Sequence, residues 1–110
     1  MLFFLYIAYT MINLNTYLTD IRAICSRHKV NRLYVFGSVL TERFNMESDV
    51  DFIVDFEPVD VFQYADNYYD LKFSLEAVLQ RPVDLLEEKA IRNPYFQQVV
   101  NSKKQLVYEH

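Results

Sequence analysis

Glycine is almost absent from this chain: of 110 residues only Gly37 is one. A sequence that otherwise does without glycine places it where the backbone must turn with positive φ, or where a ligand must approach the main chain closely. Cysteine is equally scarce. Cys25 stands alone, which excludes an internal disulfide and is compatible with a reducing cytoplasm. Cations are outnumbered, 11 Lys and Arg against 15 Asp and Glu, for a net charge of −4 and a pI of about 5.0. That balance argues against a long nucleic-acid backbone as ligand, which requires a basic surface; it leaves room for a single nucleotide whose phosphates a cation neutralises. A membrane-length apolar run is also missing. Met1 to Ile12 is apolar and no charge precedes Asp20, but twelve helical residues reach about 18 Å against a hydrocarbon core of roughly 30 Å. The segment has neither the basic start nor the small-residue cleavage site of a signal peptide. Met1 to Thr10 reads as an extension from an upstream start, as a partner-binding segment, or as an N-terminal helix packed on the domain.

What is present belongs to a folded protein: 52% hydrophobic residues, with nine Tyr and nine Phe. The length corresponds to a single domain over 1–110 with one small core. Leu14, Tyr17, Leu18, Ile21, Ile24 and Cys25 recur at helical spacing and predict a helix over about 15–29. Arg32 to Phe36 is β-branched and aromatic, a strand. A short helix over 38–43 and a polar connector over 44–48 follow. Val50 to Phe56 is a second strand, stopped by Pro58. Asp60 N-caps a long helix to Gln80, with Tyr64, Tyr68, Leu71, Leu75, Val78 and Leu79 as its apolar stripe, and Pro82 ends it. Val83 to Leu86 is a third strand. Asn93-Pro94 opens a last helix near 94–103, carrying Phe96, Val99 and Val100. Gln105 to Tyr108 forms a fourth short strand. This order implies an α+β domain with one mixed sheet and helices packed mainly on one face.

The chemistry-bearing residues fall between the first two strands. The run Leu33 to Phe36 ends in Gly37-Ser38; ten residues later comes Asp49-Val50-Asp51. Side chains alternate along a strand, so Asp49 and Asp51 share a face, within reach of one cation. Mg²⁺ takes oxygen ligands, commonly one or two carboxylates together with phosphate oxygens and water. Asp84 sits among Val83, Leu85 and Leu86, where a charge is expensive unless paired or metal-bound. If its strand lies beside Val50 to Phe56, three carboxylates converge, and two metal ions could share them. The Gly37-Ser38 turn offers backbone N–H groups and a hydroxyl to a phosphate.

Gly37-Ser38, ten residues and Asp49-x-Asp51 resemble the signature of the DNA polymerase β-like nucleotidyltransferases. The short chain is similar to their minimal nucleotidyltransferase family, whose members pair with HEPN proteins. The likeness spans Asn15 to Tyr108 and includes Ser48, Phe52-Ile53-Val54, Arg81-Pro82-Val83-Asp84 and Asn93-Pro94-Tyr95. It implies a small nucleotidyltransferase fold. It also implies Asp49 and Asp51 as ligands of Mg²⁺ and triphosphate, Asp84 completing a second metal site and helping to deprotonate the acceptor, and Gly37 and Ser38 holding the triphosphate of ATP. The implied activity is that of an antitoxin: transfer of AMP to a tyrosine of a HEPN toxin. Leu40-Thr41-Glu42 stands where many relatives have Ala-Arg-Gly, with Arg43 near enough to substitute, and Gln80 replaces a customary glycine.

The remaining candidates have plainer readings. Asp55 shares the strand face of Asp49 and Asp51 and reads as a surface acid at the strand end. His28 reads as a helix-end surface residue, Cys25 as a buried inert thiol, and Lys72 as a solvated lysine rather than a phosphate contact. A second function competes with catalysis: a binding module that neutralises its partner by covering it, using exposed aromatics and the apolar N-terminus. Neither reading requires a nucleic-acid polymer or a membrane, and self-association is open.

Overall fold

The computed structural model describes residues 16–36 and 49–110. The apolar N-terminal segment, Gly37, Ser38, the short helix over 38–43 and the connector over 44–48 lie outside the described residues.

The first element, α1, is helical over 16–27. It buries Ile21, Ile24 and Cys25, which fall on one side of a 3.6-residue repeat. Burial pushes the Cys25 thiol up to about 12, so it stays protonated and inert. Strand β1 (Val30–Phe36) follows after a two-residue turn, and β2 (Val50–Phe56) pairs with it antiparallel. Helix α2 (Val61–Leu79) is set by its ends. The Asp60 carboxylate accepts the Phe62 N–H at 2.9 Å, and Gln80 closes the helix in the left-handed conformation. Strand β3 (Val83–Glu87) lies parallel to β2, so α2 is the crossover that parallel neighbours require. A single 3₁₀ turn, Glu88–Ala90, precedes α3 (Pro94–Lys103). Asn93 caps α3 by accepting the Phe96 N–H at 3.0 Å, with Pro94 at the first helical position. Strand β4 (Gln105–Glu109) returns antiparallel to β1.

The sheet order is β3-β2-β1-β4, a mixed four-stranded sheet. One face carries Leu33, Val35, Val50, Phe52, Val54, Phe56, Val83, Leu85 and Val107, which form the main core with Leu71, Leu75 and Leu79 of α2 and the buried side of α1. Helix α3 lies against the other face. Phe96 meets Phe36 edge-on at 6.4 Å between centroids, and the Lys104 ammonium sits 4.1 Å above the Tyr34 ring. Ile53 of β2 and Val100 of α3, both out of solvent, belong to this second side. Two of the three described helices thus share one face, as the element order implied.

Candidate active site

Strand β2 is buried on both faces, and its alternation places Val50, Phe52 and Val54 on the core side with Asp51 opposite. Strand β3 repeats the alternation: Val83 and Leu85 are buried, Asp84 and Leu86 exposed. The parallel register joins Val50 to Val83, Asp51 to Asp84 and Phe52 to Leu85. Asp51 and Asp84 are therefore lateral neighbours on one face, on strands about 4.8 Å apart. Asp49, exposed, immediately precedes β2. On the other side of Asp51 stands Phe36, the last residue of β1. The end of β1 and the beginnings of β2 and β3 thus come together at one end of the sheet. Gly37 and Ser38 follow Phe36 in sequence.

Two carboxylates placed opposite each other repel in the absence of a cation. Two such oxygen donors, supplemented by phosphate and water, are a set that Mg²⁺ accepts, so the Asp51–Asp84 pair fits the group the resemblance implies. Among the described residues, no three Asp, Glu, His or Cys side chains gather as a metal-ion cluster. The parallel register sets the strands of Asp51 and Asp84 side by side, as expected, but Asp49, Asp51 and Asp84 do not gather into the expected three-carboxylate cluster.

Asp55 corrects the reading of a surface acid. It is 8% exposed and held in place: the Asn31 side-chain amide donates to Oδ2 at 2.8 Å, and the Lys89 ammonium stands 3.6 Å from Oδ1. Among the described residues, Oδ1 itself has no hydrogen-bond partner. The register of β1 against β2 shifts between Val30 and Arg32, around Asn31. A bulge re-aims a side chain, and here the re-aimed amide meets the buried carboxylate. His28 is half-buried; its Nδ1 lies 2.6 Å from the Ile24 carbonyl, and Asn67 donates to the His28 carbonyl at 2.8 Å. Lys72 lies on α2, in the layer away from Asp51 and Asp84.

The sequence pattern missed a set of contacts between α2 and β3. Tyr64 donates its hydroxyl to the Glu87 carboxylate, Tyr68 donates to the Leu85 carbonyl, and Glu76 accepts the Val83 N–H at 2.9 Å. Burial first, then the Glu87 hydrogen bond and charge, raise the pKa of Tyr64; burial raises that of Tyr68, with Tyr69, Asp84 and Glu87 adding to it. Both hydroxyls stay protonated as donors. The available signal was the choice of Tyr at inward helix positions, since a buried phenol needs a partner that Phe or Leu does not.

The small mixed sheet with an acid pair at one end fits the nucleotidyltransferase fold that the resemblance implies. Residues 20–107 match the family described as Nucleotidyltransferase domain, and the chain belongs to that family of enzymes. A relative from Methanocaldococcus jannaschii, "Putative protein adenylyltransferase MJ1379", is 32% identical over 82 residues, covering 74% of this chain and 79% of its own. The solved structure of a "putative minimal nucleotidyltransferase" superposes with a TM-score of 0.69 at 28% identity, covering 84% of this chain and 90% of the other. A crystal structure of a toxin–antitoxin with AMP-PNP shares the fold, with a TM-score of 0.64 at 20% identity over 84% of this chain and 73% of the other.

Proposed function

We propose that this chain is a single-domain, cytoplasmic protein adenylyltransferase that acts as an antitoxin, transferring AMP from ATP to a tyrosine hydroxyl of a HEPN-type toxin. The observation that carries the reading is the register of Asp51 beside Asp84 on the sheet face away from the main core. The protein adenylyltransferase name of the M. jannaschii relative and the toxin–antitoxin structure with AMP-PNP support it.

In this reading Asp49, Asp51 and Asp84 hold two Mg²⁺ ions, which when bound neutralise the triphosphate charge. Gly37 and Ser38 hold the triphosphate, as the resemblance assigns them. The acceptor oxygen attacks the α-phosphorus and forms the new P–O bond. The bond to the β-phosphate bridging oxygen breaks, and pyrophosphate leaves. Asp84, exposed at the rim, takes the proton of the acceptor hydroxyl.

A non-catalytic reading, neutralisation by covering, draws on the outer side of α2, where Phe62 is 91% and Phe73 56% exposed, with Tyr69 in line between them. One experiment separates the two. The chain is incubated with the HEPN-type protein encoded beside its gene, ATP and Mg²⁺, and the partner's mass is measured. AMP increments that vanish in the Asp49→Asn, Asp51→Asn double variant, together with loss of neutralisation, support transfer. Full neutralisation by the double variant supports covering.

A further inference from the structure

Among the described residues, strand β3 ends the sheet and has only β2 as a strand neighbour. The Pro82 carbonyl points inward, accepting the Val50 N–H at 3.1 Å. Backbone groups alternate along a strand, so those of Val83 and Leu85 point outward, where an edge strand leaves them bare. Here α2 supplies what a fifth strand would. Glu76 accepts the Val83 N–H, and the Tyr68 hydroxyl donates to the Leu85 carbonyl. These two bonds grip the chain one residue before and one residue after Asp84. Tyr64, one helical turn before Tyr68, grips Glu87 further along. The charge of Asp84 is felt at the Tyr68 hydroxyl, as expected for near neighbours.

We propose that Tyr68 and Glu76 are positioning residues for Asp84, holding its backbone in register with Asp51 by bonding the outward backbone groups of Val83 and Leu85. The inference rests on the reading that Asp84 belongs to the reacting site. An edge strand bonded on one side frays readily; fraying at Val83 or Leu85 would swing the Asp84 carboxylate away from Asp51. The two bonds go to backbone groups, so Tyr68→Phe removes one of them while keeping the ring that packs against the core. Glu76→Gln keeps an acceptor oxygen, and Glu76→Ala removes it.

The test uses the full chain with Mn²⁺ as probe, titrated in the presence of AMP-PNP and followed by the electron paramagnetic resonance of free Mn²⁺. Amide exchange of β3 is measured alongside. Tyr68→Phe and Glu76→Ala are expected to weaken Mn²⁺ binding about 10-fold or more, the range for groups that orient metal ligands, and to speed exchange across Val83–Leu85. Glu76→Gln is expected to restore most of both. A purely structural role would lower the unfolding midpoint and leave the Mn²⁺ affinity of the folded protein unchanged; that result overturns the proposal. Asp84→Asn serves as reference. If it retains wild-type Mn²⁺ affinity, the reading of Asp84 fails and the inference falls with it. If it loses affinity while Tyr68→Phe and Glu76→Ala do not, the positioning inference alone fails.

Discussion

The two faces of the sheet are built on different terms. On one, Val50, Phe52 and Val54 alternate inward from β2 onto α1 and α2, and β2 gives that face only apolar side chains. On the other, the same strand presents Asp51, Ile53 and Asp55, an apolar residue between two acids, with α3 as the helix that covers it. The first face has one task, removal of apolar surface from water. The second face combines a buried, amide-bonded acid at one end with acids at the rim of the other. Stability and chemistry are therefore separable by substitution on alternate residues of one strand.

The largest expected effect breaks the comparison on the apolar side. Phe52, fully buried, is expected to cost about 3–5 kcal/mol as Phe52→Ala, read as a fall in the urea midpoint. That is a large share of the roughly 5–15 kcal/mol that holds a domain together, so transfer is lost through unfolding. One residue earlier, Asp51→Asn is expected to lower AMP transfer by about 100-fold or more with a nearly unchanged midpoint. Asp84→Asn should do the same and raise the midpoint slightly, since like charges facing across strands cost roughly 0.2–1 kcal/mol. A midpoint that falls in Asp84→Asn as far as in Phe52→Ala would show that the two faces are not separable.

Asp55 sharpens the comparison within the chemical face. Asp55→Ala leaves the Asn31 amide without its acceptor and the Lys89 ammonium without its carboxylate. The expected cost is about 1–3 kcal/mol in urea unfolding. Transfer per folded molecule should stay close to wild type, unlike Asp51→Asn four residues away. Loss of transfer at full folding would place Asp55 among the reacting groups instead.

Most of the architecture was legible because its signals are local. Asp60, Gln80, Asn93 and Pro94 mark helix ends by their own chemistry, and the observed bounds of α2 and α3 follow them. Strand β2 matches its apolar run from Val50 to Phe56. The pairing of Asp84 with Asp51 was legible only as a condition, because strand adjacency is a long-range property. Burial of Asp55 was not legible at all: it depends on a register shift near Asn31 and on Lys89, 34 residues further along. The hydroxyl roles of Tyr64 and Tyr68 were hidden behind a helical period that their rings satisfy equally well as core.

The glycine scarcity leads to the smallest expected effect. Two residues hold positive φ among the described residues, Lys29 and Gln80, both at φ 56°. Neither is glycine, and Gln80 replaces the glycine customary in the resembled family. A side chain in the left-handed region costs about 1–2 kcal/mol. The position demands that conformation because the Gln80 N–H must reach the Glu76 carbonyl, at 2.8 Å, to close α2 before β3 begins. Gln80→Gly relieves the strain but gives up the side-chain bond to the Ala77 carbonyl and frees the unfolded chain, leaving a net gain of about 0.5–1 kcal/mol. Gln80→Ala keeps the strain and loses the bond, so its urea midpoint should fall. Opposite shifts in the two variants, with AMP transfer unchanged in both, would place the cost in the backbone of the turn and leave the acid-bearing face untouched. Equal shifts would trace it to the side-chain bond.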